Sequence, residues 1–351
     1  MGIKQELSWW RWRRMAQGFP NRFDEWLRDP SWESGDHELL LAAFLGSGGA
    51  ALTRASELSA ARAGLYGFDD QSSSIGLQPS TPDYDAALSE LRTQGYTVLP
   101  WRLDEDRSAR LTEHLSSPEL TLVSDDPSLD GRSARISFDS PLAEKYDVTV
   151  PDILSSHDAV ELMLDRGILR LAQDYLGSVP KVDICASWFS FPVNRASARA
   201  ATMFHFDLDR TRWLKVFFFL TDVTPTTGAH VFIPGTQRDS AIPVYLRKRG
   251  YARMTDGDVR SAYPEDTWTS IGGPRGTILL EDTRGIHKGL PVLEGHRLVL
   301  QFQYSQDLFG GAPSVLGHAL PATREFGAFK ARYPAVLEGL SGEFVRAGAP
   351  S

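Results

Sequence analysis

"MFHFDLDRTRWLKVFFFLTD", residues 203–222, sets polar, metal-capable side chains into one of the most aromatic stretches of the chain. His205, Asp207 and Asp209 alternate with Phe204, Phe206 and Leu208, and Lys215 follows among Trp213, Phe217, Phe218 and Phe219. Side chains two apart on a strand share a face. His205 and Asp207 therefore project together, while Phe204 and Phe206 can pack behind them. An unpaired carboxylate is costly in an apolar interior. A divalent ion held by His205 and Asp207 as neighbouring ligands compensates that cost; a buried His–Asp hydrogen bond is the plainer alternative.

An ion needs a third ligand. His287, in "EDTRGIHKGLPVLEGHRLVLQF", sits in a turn between two strand-like runs with Gly285 and Gly289 around it. His230, in "TTGAHVFIPG", also lies near a turn, whereas His37, His114 and His157 fall in helical or N-terminal segments and His318 in the tail. Two histidines and one carboxylate leave open positions on an octahedral iron, whereas zinc usually takes four closed ligands or a hydrolytic site. Arg297 stands ten positions after His287, at the start of "RLVLQFQY". An inward-facing arginine in a β-core requires an anion, and its planar fork suits a carboxylate.

The remaining composition narrows the class. The chain has 351 residues, 42% of them hydrophobic, so it can bury a substantial core. A net charge of -8 argues against nonspecific binding to nucleic acid or an anionic membrane. The lone Cys185 excludes an intramolecular disulfide framework and a Cys-rich zinc site. The N-terminus lacks the apolar core of a signal peptide, and no run approaches the roughly 18 apolar residues of a membrane span. The expectation is a soluble, cytoplasmic protein.

Residues 1–70 read as a helical extension in which the aromatic residues of "WWRWRR" dock it onto the main domain. Residues 71–83 belong to a Ser-, Pro- and Gly-rich linker. A helix ending at Gly95, a strand through Tyr96, Val98 and Leu99, and a helix in "DEDRSARLTEHL" follow. "SHDAVELMLDRGILRLAQDYLG" reads as one long helix closed by Gly177. From "KVDICASWFSFPV" onward, short apolar runs separated by turn signals predict a sandwich or barrel. Residues 311–351 form a tail packing on the domain.

The ordered set His205-x-Asp207, His287, Arg297 resembles the Fe(II)/2-oxoglutarate-dependent oxygenases, and within them the phytanoyl-CoA dioxygenase-like family. "FLTDVTPTTGAHVFIPGTQR" and "GYTVLP" are similar to that family's text, although Gln237 stands where the family usually has histidine. The likeness covers residues 84–310. It implies a mainly β, α+β fold: a double-stranded β-helix, jelly-roll or cupin-like, buttressed by helices. It implies Fe(II) on His205, Asp207 and His287, 2-oxoglutarate anchored by Arg297, O2 as co-reactant, and release of succinate and CO2. A carboxylate at Asp207, rather than the small residue of halogenating relatives, favours hydroxylation or another oxidation.

Further positions are read as follows. Lys215, Trp188 and Ser190 are candidates for the cosubstrate pocket, with a barrel-rim or core role as the alternative. His230 reads as structural, Asp209 as a partner of Arg210 or Arg212 or as solvated, and Arg284 and Lys288 as exposed turn charges. Residues 240–273, long and charged, are expected to shape the substrate pocket. A small-molecule substrate, lipid-, sugar- or secondary-metabolite-like, is expected, with no nucleic acid and no membrane span; a homo-oligomer is compatible with this reading. A non-catalytic barrel acting as sensor or scaffold and a cupin-like hydrolase or isomerase are the competing readings. Arg297 counts against the hydrolase, which needs no dicarboxylate anchor.

Overall fold

The computed structural model describes residues 3–68, 73–192, 202–247, 253–311 and 320–341. The strands among them are β1 (Tyr96–Arg102), β2 (Leu120–Val123), β3 (Ser133–Ala134), β4 (Lys145–Val148), β5 (Lys181–Ser190), β6 (Trp213–Phe219), β7 (His230–Phe232), β8 (Thr269–Ile271), β9 (Thr277–Glu281), β10 (His287–Gly289) and β11 (Arg297–Ser305). Eight form an antiparallel sheet in the order β1-β9-β6-β11-β5-β4-β2-β3, and three form a second sheet, β10-β7-β8. The two sheets make up the double-stranded β-helix.

The large sheet is covered on both sides, which is why β6 and β11 are buried at every position and read as unbroken apolar runs. Strand alternation sorts their residues. Leu214, Val216, Phe218, Leu298, Leu300 and Phe302 face outward into a core shared with buttressing helices through Leu91, Leu111, Ile168 and Leu169. Phe217, Phe219, Leu279 and Val299 face inward, toward Phe232 and Ile271 of the small sheet.

The stretch read as one long helix is two, His157–Met163 and Arg166–Leu176. Buried Asp165 breaks it, accepting from the Ile168 N–H at 3.0 Å as the N-cap of the second helix. The same carboxylate accepts from Ser73 Oγ at 3.1 Å and the Ser74 N–H at 2.5 Å. Within the stretch read as a linker, Ile75 and Leu77 are thereby held in the core; residues 69–72 lie outside the described part. Asp165→Ala removes the cap and both tethers and is expected to destabilise the fold by about 2 kcal/mol, read as a lower urea midpoint.

Four N-terminal helices, Ile3–Ala16, Phe19–Arg28, Asp36–Ser47 and Ala50–Arg62, build a second core. In it Phe19, Phe23, Trp26 and Phe44 meet Phe204, Phe206, Leu208 and Phe309. Phe44 lies 5.1 Å from Phe206, and Phe23 5.3 Å from Phe309. In "WWRWRR", Trp12 packs against this cluster while Trp10 is 68% exposed. Residues 324–341 pack beside β5 through Val336, Leu337 and Leu340.

The segment 240–273 supplies β8 and core residues Ile242, Leu246, Met254 and Val259. Its Trp268 stacks edge-on at 4.9 Å against Phe204. Arg247 is buried and donates to the carbonyls of Leu45 and Ile242; residues 248–252 lie outside the described residues. Among the described residues no helix is long and apolar enough to cross a membrane.

Candidate metal centre

His205 and His287 come from opposite ends of the sequence of the site and meet through backbone. Each donates its N–H to the other's carbonyl, at 2.9 and 2.8 Å, as an isolated antiparallel bridge rather than the longer strand expected at 203–209. The Asp207 N–H donates to the Thr283 carbonyl at 2.8 Å. The turn before His287 is fixed by Asp282, which accepts from Tyr175 Oη at 2.6 Å and from Arg284 Nη2 at 2.5 Å. Gly285 is required there because a Cβ would come within 2.3 Å of the Phe232 ring.

The three side chains converge. The two imidazole centroids are 4.2 Å apart. Asp207 lies between them, with Oδ1 3.8 Å from His205 Nε2 and Oδ2 3.8 Å from His287 Nε2. Their ligand atoms all lie within 4.8 Å of one another, near enough for one divalent ion to bridge. The Nδ1 atoms are engaged elsewhere: His205 with the Met203 carbonyl and His287 with the Gly285 carbonyl, both at 2.9 Å. A ring that donates through Nδ1–H presents an Nε2 lone pair. Burial pushes both imidazoles below their ordinary pKa, so they are neutral at pH 7 and need lose no proton to ligate.

Lys215 crosses to this cluster from β6. Its ammonium binds Asp207 Oδ2 at 2.7 Å and Asp209 at 3.2 Å. Burial opposes charge on Asp207 and Lys215 alike, but their mutual attraction outweighs it, holding the carboxyl below and the ammonium above their usual ranges. Asp209 thus pairs with Lys215 rather than with the side chain of Arg210 or Arg212. Neither Arg284 nor Lys288 is an exposed turn charge: Arg284 is mostly buried and binds Asp282, and Lys288 is buried and binds Asp256 at 2.6 Å while its ammonium lies 4.5 Å from the Phe204 ring centroid. Lys288 belongs to β10 instead of a free turn, and Arg284 folds back onto Asp282 within the turn before it.

The ligands line a cavity of about 420 Å³ between the two sheets. Arg297, Lys215, Trp188 and His230 also line it, with Phe217, Phe219, Leu279 and Val299 as its apolar wall. Ser190 pairs with Arg297 across β5 and β11 but is not part of the lining. Lys145, Asp147 and Gln301 line it too and were not singled out from sequence. The Lys145 ammonium lies 5.4 Å from the Trp188 ring centroid, and its ion pair with Asp147 is 2.6 Å. Their signal is present only in the register that sets Asp147 opposite Trp188.

Arg297 is buried and donates through Nη1 to the Gly228 carbonyl, while its Nε has no hydrogen-bond partner. Among the described residues it has no carboxylate partner. Burial alone lowers its pKa, to about 10. A buried guanidinium with an unpartnered donor is costly unless an anion pairs with it.

Gln237 is buried beneath the start of β1 and is absent from the cavity lining. Gly95, at φ 93°, makes room for it, since a Cβ there would approach Gln237 Oε1 to 2.6 Å.

Fold and site together define a double-stranded β-helix with a two-histidine, one-carboxylate metal centre and a buried arginine beside it. The chain matches the family described as "Phytanoyl-CoA dioxygenase (PhyH)" over residues 91–296, more than half its length, and belongs to that family of non-haem Fe(II)/2-oxoglutarate-dependent oxygenases. Similar solved structures include the non-heme alpha ketoglutarate dependent epimerase SnoN from nogalamycin biosynthesis, at 17% identity over 63% of this chain and 82% of that one, with a TM-score of 0.46. AviO1 from Streptomyces viridochromogenes Tue57 is 17% identical over 67% of this chain and all of its own, with a TM-score of 0.44. HygX from Streptomyces hygroscopicus, solved with nickel and 2-oxoglutarate bound, is 18% identical over 63% and 86%, with a TM-score of 0.44. No curated protein matches the chain.

Proposed function

We propose that the protein is an Fe(II)- and 2-oxoglutarate-dependent dioxygenase that hydroxylates a small molecule, with release of succinate and CO2. The observation carrying this reading is the pairing of the His205–Asp207–His287 cluster with the orphaned, buried Arg297 in one cavity. Neither a hydrolase nor a structural metal site has use for that arginine.

Iron and 2-oxoglutarate, when bound, supply oxygen activation, which no side chain here can perform. The residues hold, orient and exclude. His205 and His287 present fixed Nε2 lone pairs, and Asp207 supplies the negative ligand. Arg297 takes the distal carboxylate of 2-oxoglutarate through its free donors. Lys215 keeps Asp207 ionised and places a second cation where the anionic cosubstrate approaches the ion. Phe217, Phe219, Leu279 and Val299 keep water from the centre. Trp188, Lys145 and Asp147 form a wall for the substrate, and a cavity of this volume suits a small metabolite.

The test is an anaerobic titration of Fe(II)-loaded protein with 2-oxoglutarate, followed by the visible charge-transfer band of the chelate. The wild type is expected to give the band and His205→Ala to give none. Absence of the band in folded, metal-replete wild type would sink the oxygenase reading and move a sensing or scaffolding role ahead of it.

A further inference from the structure

Glu281 ends β9, whose preceding residues are Thr277, Ile278, Leu279 and Leu280, all buried. It is itself fully buried. No lysine or arginine ion pair reaches it among the described residues: the nearby Lys215 ammonium is taken by Asp207 and Asp209. Its partners are imidazoles. His230 Nε2 lies 3.0 Å from Oε1 and 2.8 Å from Oε2, and His287 Nδ1 lies 4.0 Å from Oε1.

A carboxylate buried without a cation is expensive, and an apolar side chain would fill this strand end more cheaply. Its retention calls for a role. His230 does not read as packing alone either. Its ring stacks on the His287 ring, with centroids 5.4 Å apart and an interplanar angle of 23°, and meets Phe217 at a tilt of 36° with centroids 5.9 Å apart. The register of β7 on β10 sets His230 opposite Gly289, so no side chain intervenes and the imidazole can reach diagonally to His287. Glu281 accepts the Nε2–H of His230 and so fixes that ring's orientation against His287.

We propose that Glu281 and His230 form a positioning pair for the metal ligand His287, an inference that rests on the metal-centre reading above. His230 fixes the plane of the His287 ring by stacking. Glu281 places a negative charge behind Nδ1, whose hydrogen bond to Gly285 it reinforces, and so strengthens Nε2 as a donor to the ion. Among the described residues no carboxylate is recorded behind the Nδ1 of His205, which bonds the Met203 carbonyl. Partners behind a ligating histidine commonly change metal affinity by about 10- to 100-fold.

The test uses the full chain and Co(II), whose visible spectrum reports ligand geometry without turnover. Glu281→Gln keeps the shape and hydrogen-bonding capacity of the side chain and removes its charge. His230→Phe keeps a stacking ring and removes the bond to Glu281. Both are expected to bind Co(II) about 10- to 100-fold more weakly by calorimetry, with displaced visible bands. Leu65→Ala, at an exposed position outside the cavity lining, is expected to match wild type. Co(II) affinity and spectrum within twofold of wild type in either folded variant would overturn the pairing, while wild type that binds Co(II) normally keeps the metal centre itself. Wild type that binds no Co(II) would overturn both. Should Glu281→Gln fail to fold, by circular dichroism, His230→Phe carries the same comparison.

Discussion

Arg297→Ala is expected to leave Fe(II) affinity near that of wild type and to weaken 2-oxoglutarate binding by about 100-fold or more. The metal ligands do not touch Arg297; its hydrogen bond goes to the Gly228 carbonyl, and its Nε is free. The guanidinium therefore contributes to a bound anion without contributing to the triad. Truncating one partner of a buried, hydrogen-bonded charge pair typically costs about 2–5 kcal/mol, most of it from leaving the other charge unpaired. The fold should tolerate the change, because the side chain already lacks a counter-ion and burial works against its charge. Calorimetry with Fe(II) and then with 2-oxoglutarate separates the two affinities. Equal loss of both would show that Arg297 serves the scaffold and not the cosubstrate.

The second large effect is expected on the side of the ligand segment turned away from the cavity. Phe206→Ala should destabilise the protein by about 3–5 kcal/mol, the usual range for emptying a fully packed phenylalanine site. Phe206 is buried between the two metal ligands of its own segment and Phe44 of the N-terminal extension, 5.1 Å away. Residues 204–209 join no continuous strand and are tied by two isolated bridges, the Asp207 N–H bond to Thr283 and the Lys215 ion pairs, so the aromatic core behind them stands in for a ladder. The same substitution is expected to weaken Fe(II) binding, since His205 and Asp207 depend on that backing for their direction. Urea unfolding gives the stability and calorimetry the affinity. A stable variant with a normal metal site would show that the extension merely rests against the barrel.

The pairing of His205 with Asp207 was legible in the chain because alternation is local, although an isolated bridge rather than a longer strand brings the two to His287. The buried arginine was legible from its place at the head of an apolar run. The N-cap at Asp165 was missed because the helical pattern continues across it on both sides, and only the tether to Ser73 and Ser74 makes the break necessary. Arg284 and Lys288 were misread as exposed because their partners, Asp282 and Asp256, lie on one side within the same turn and on the other across an insertion. Asp209 took Lys215 for the same kind of reason: Arg210 and Arg212 are nearer in sequence, but β6 carries the ammonium to it.

Family likeness supplied the double-stranded β-helix and the roles of His287 and Arg297; the amino-acid sequence alone determined the short apolar runs of a sandwich or barrel, the alternation that sets His205 beside Asp207, and an arginine at the head of an apolar run. These depend on side-chain period and on charge in an apolar setting, which are properties of short segments. Tertiary structure alone decided that helices 3–62 back the ligand segment, that Lys145, Asp147 and Gln301 reach the cavity, and that Glu281 stands behind His230 and His287. Those are contacts between segments brought together by sheet register and by packing of one face on another, and no spacing along the chain encodes which faces will meet.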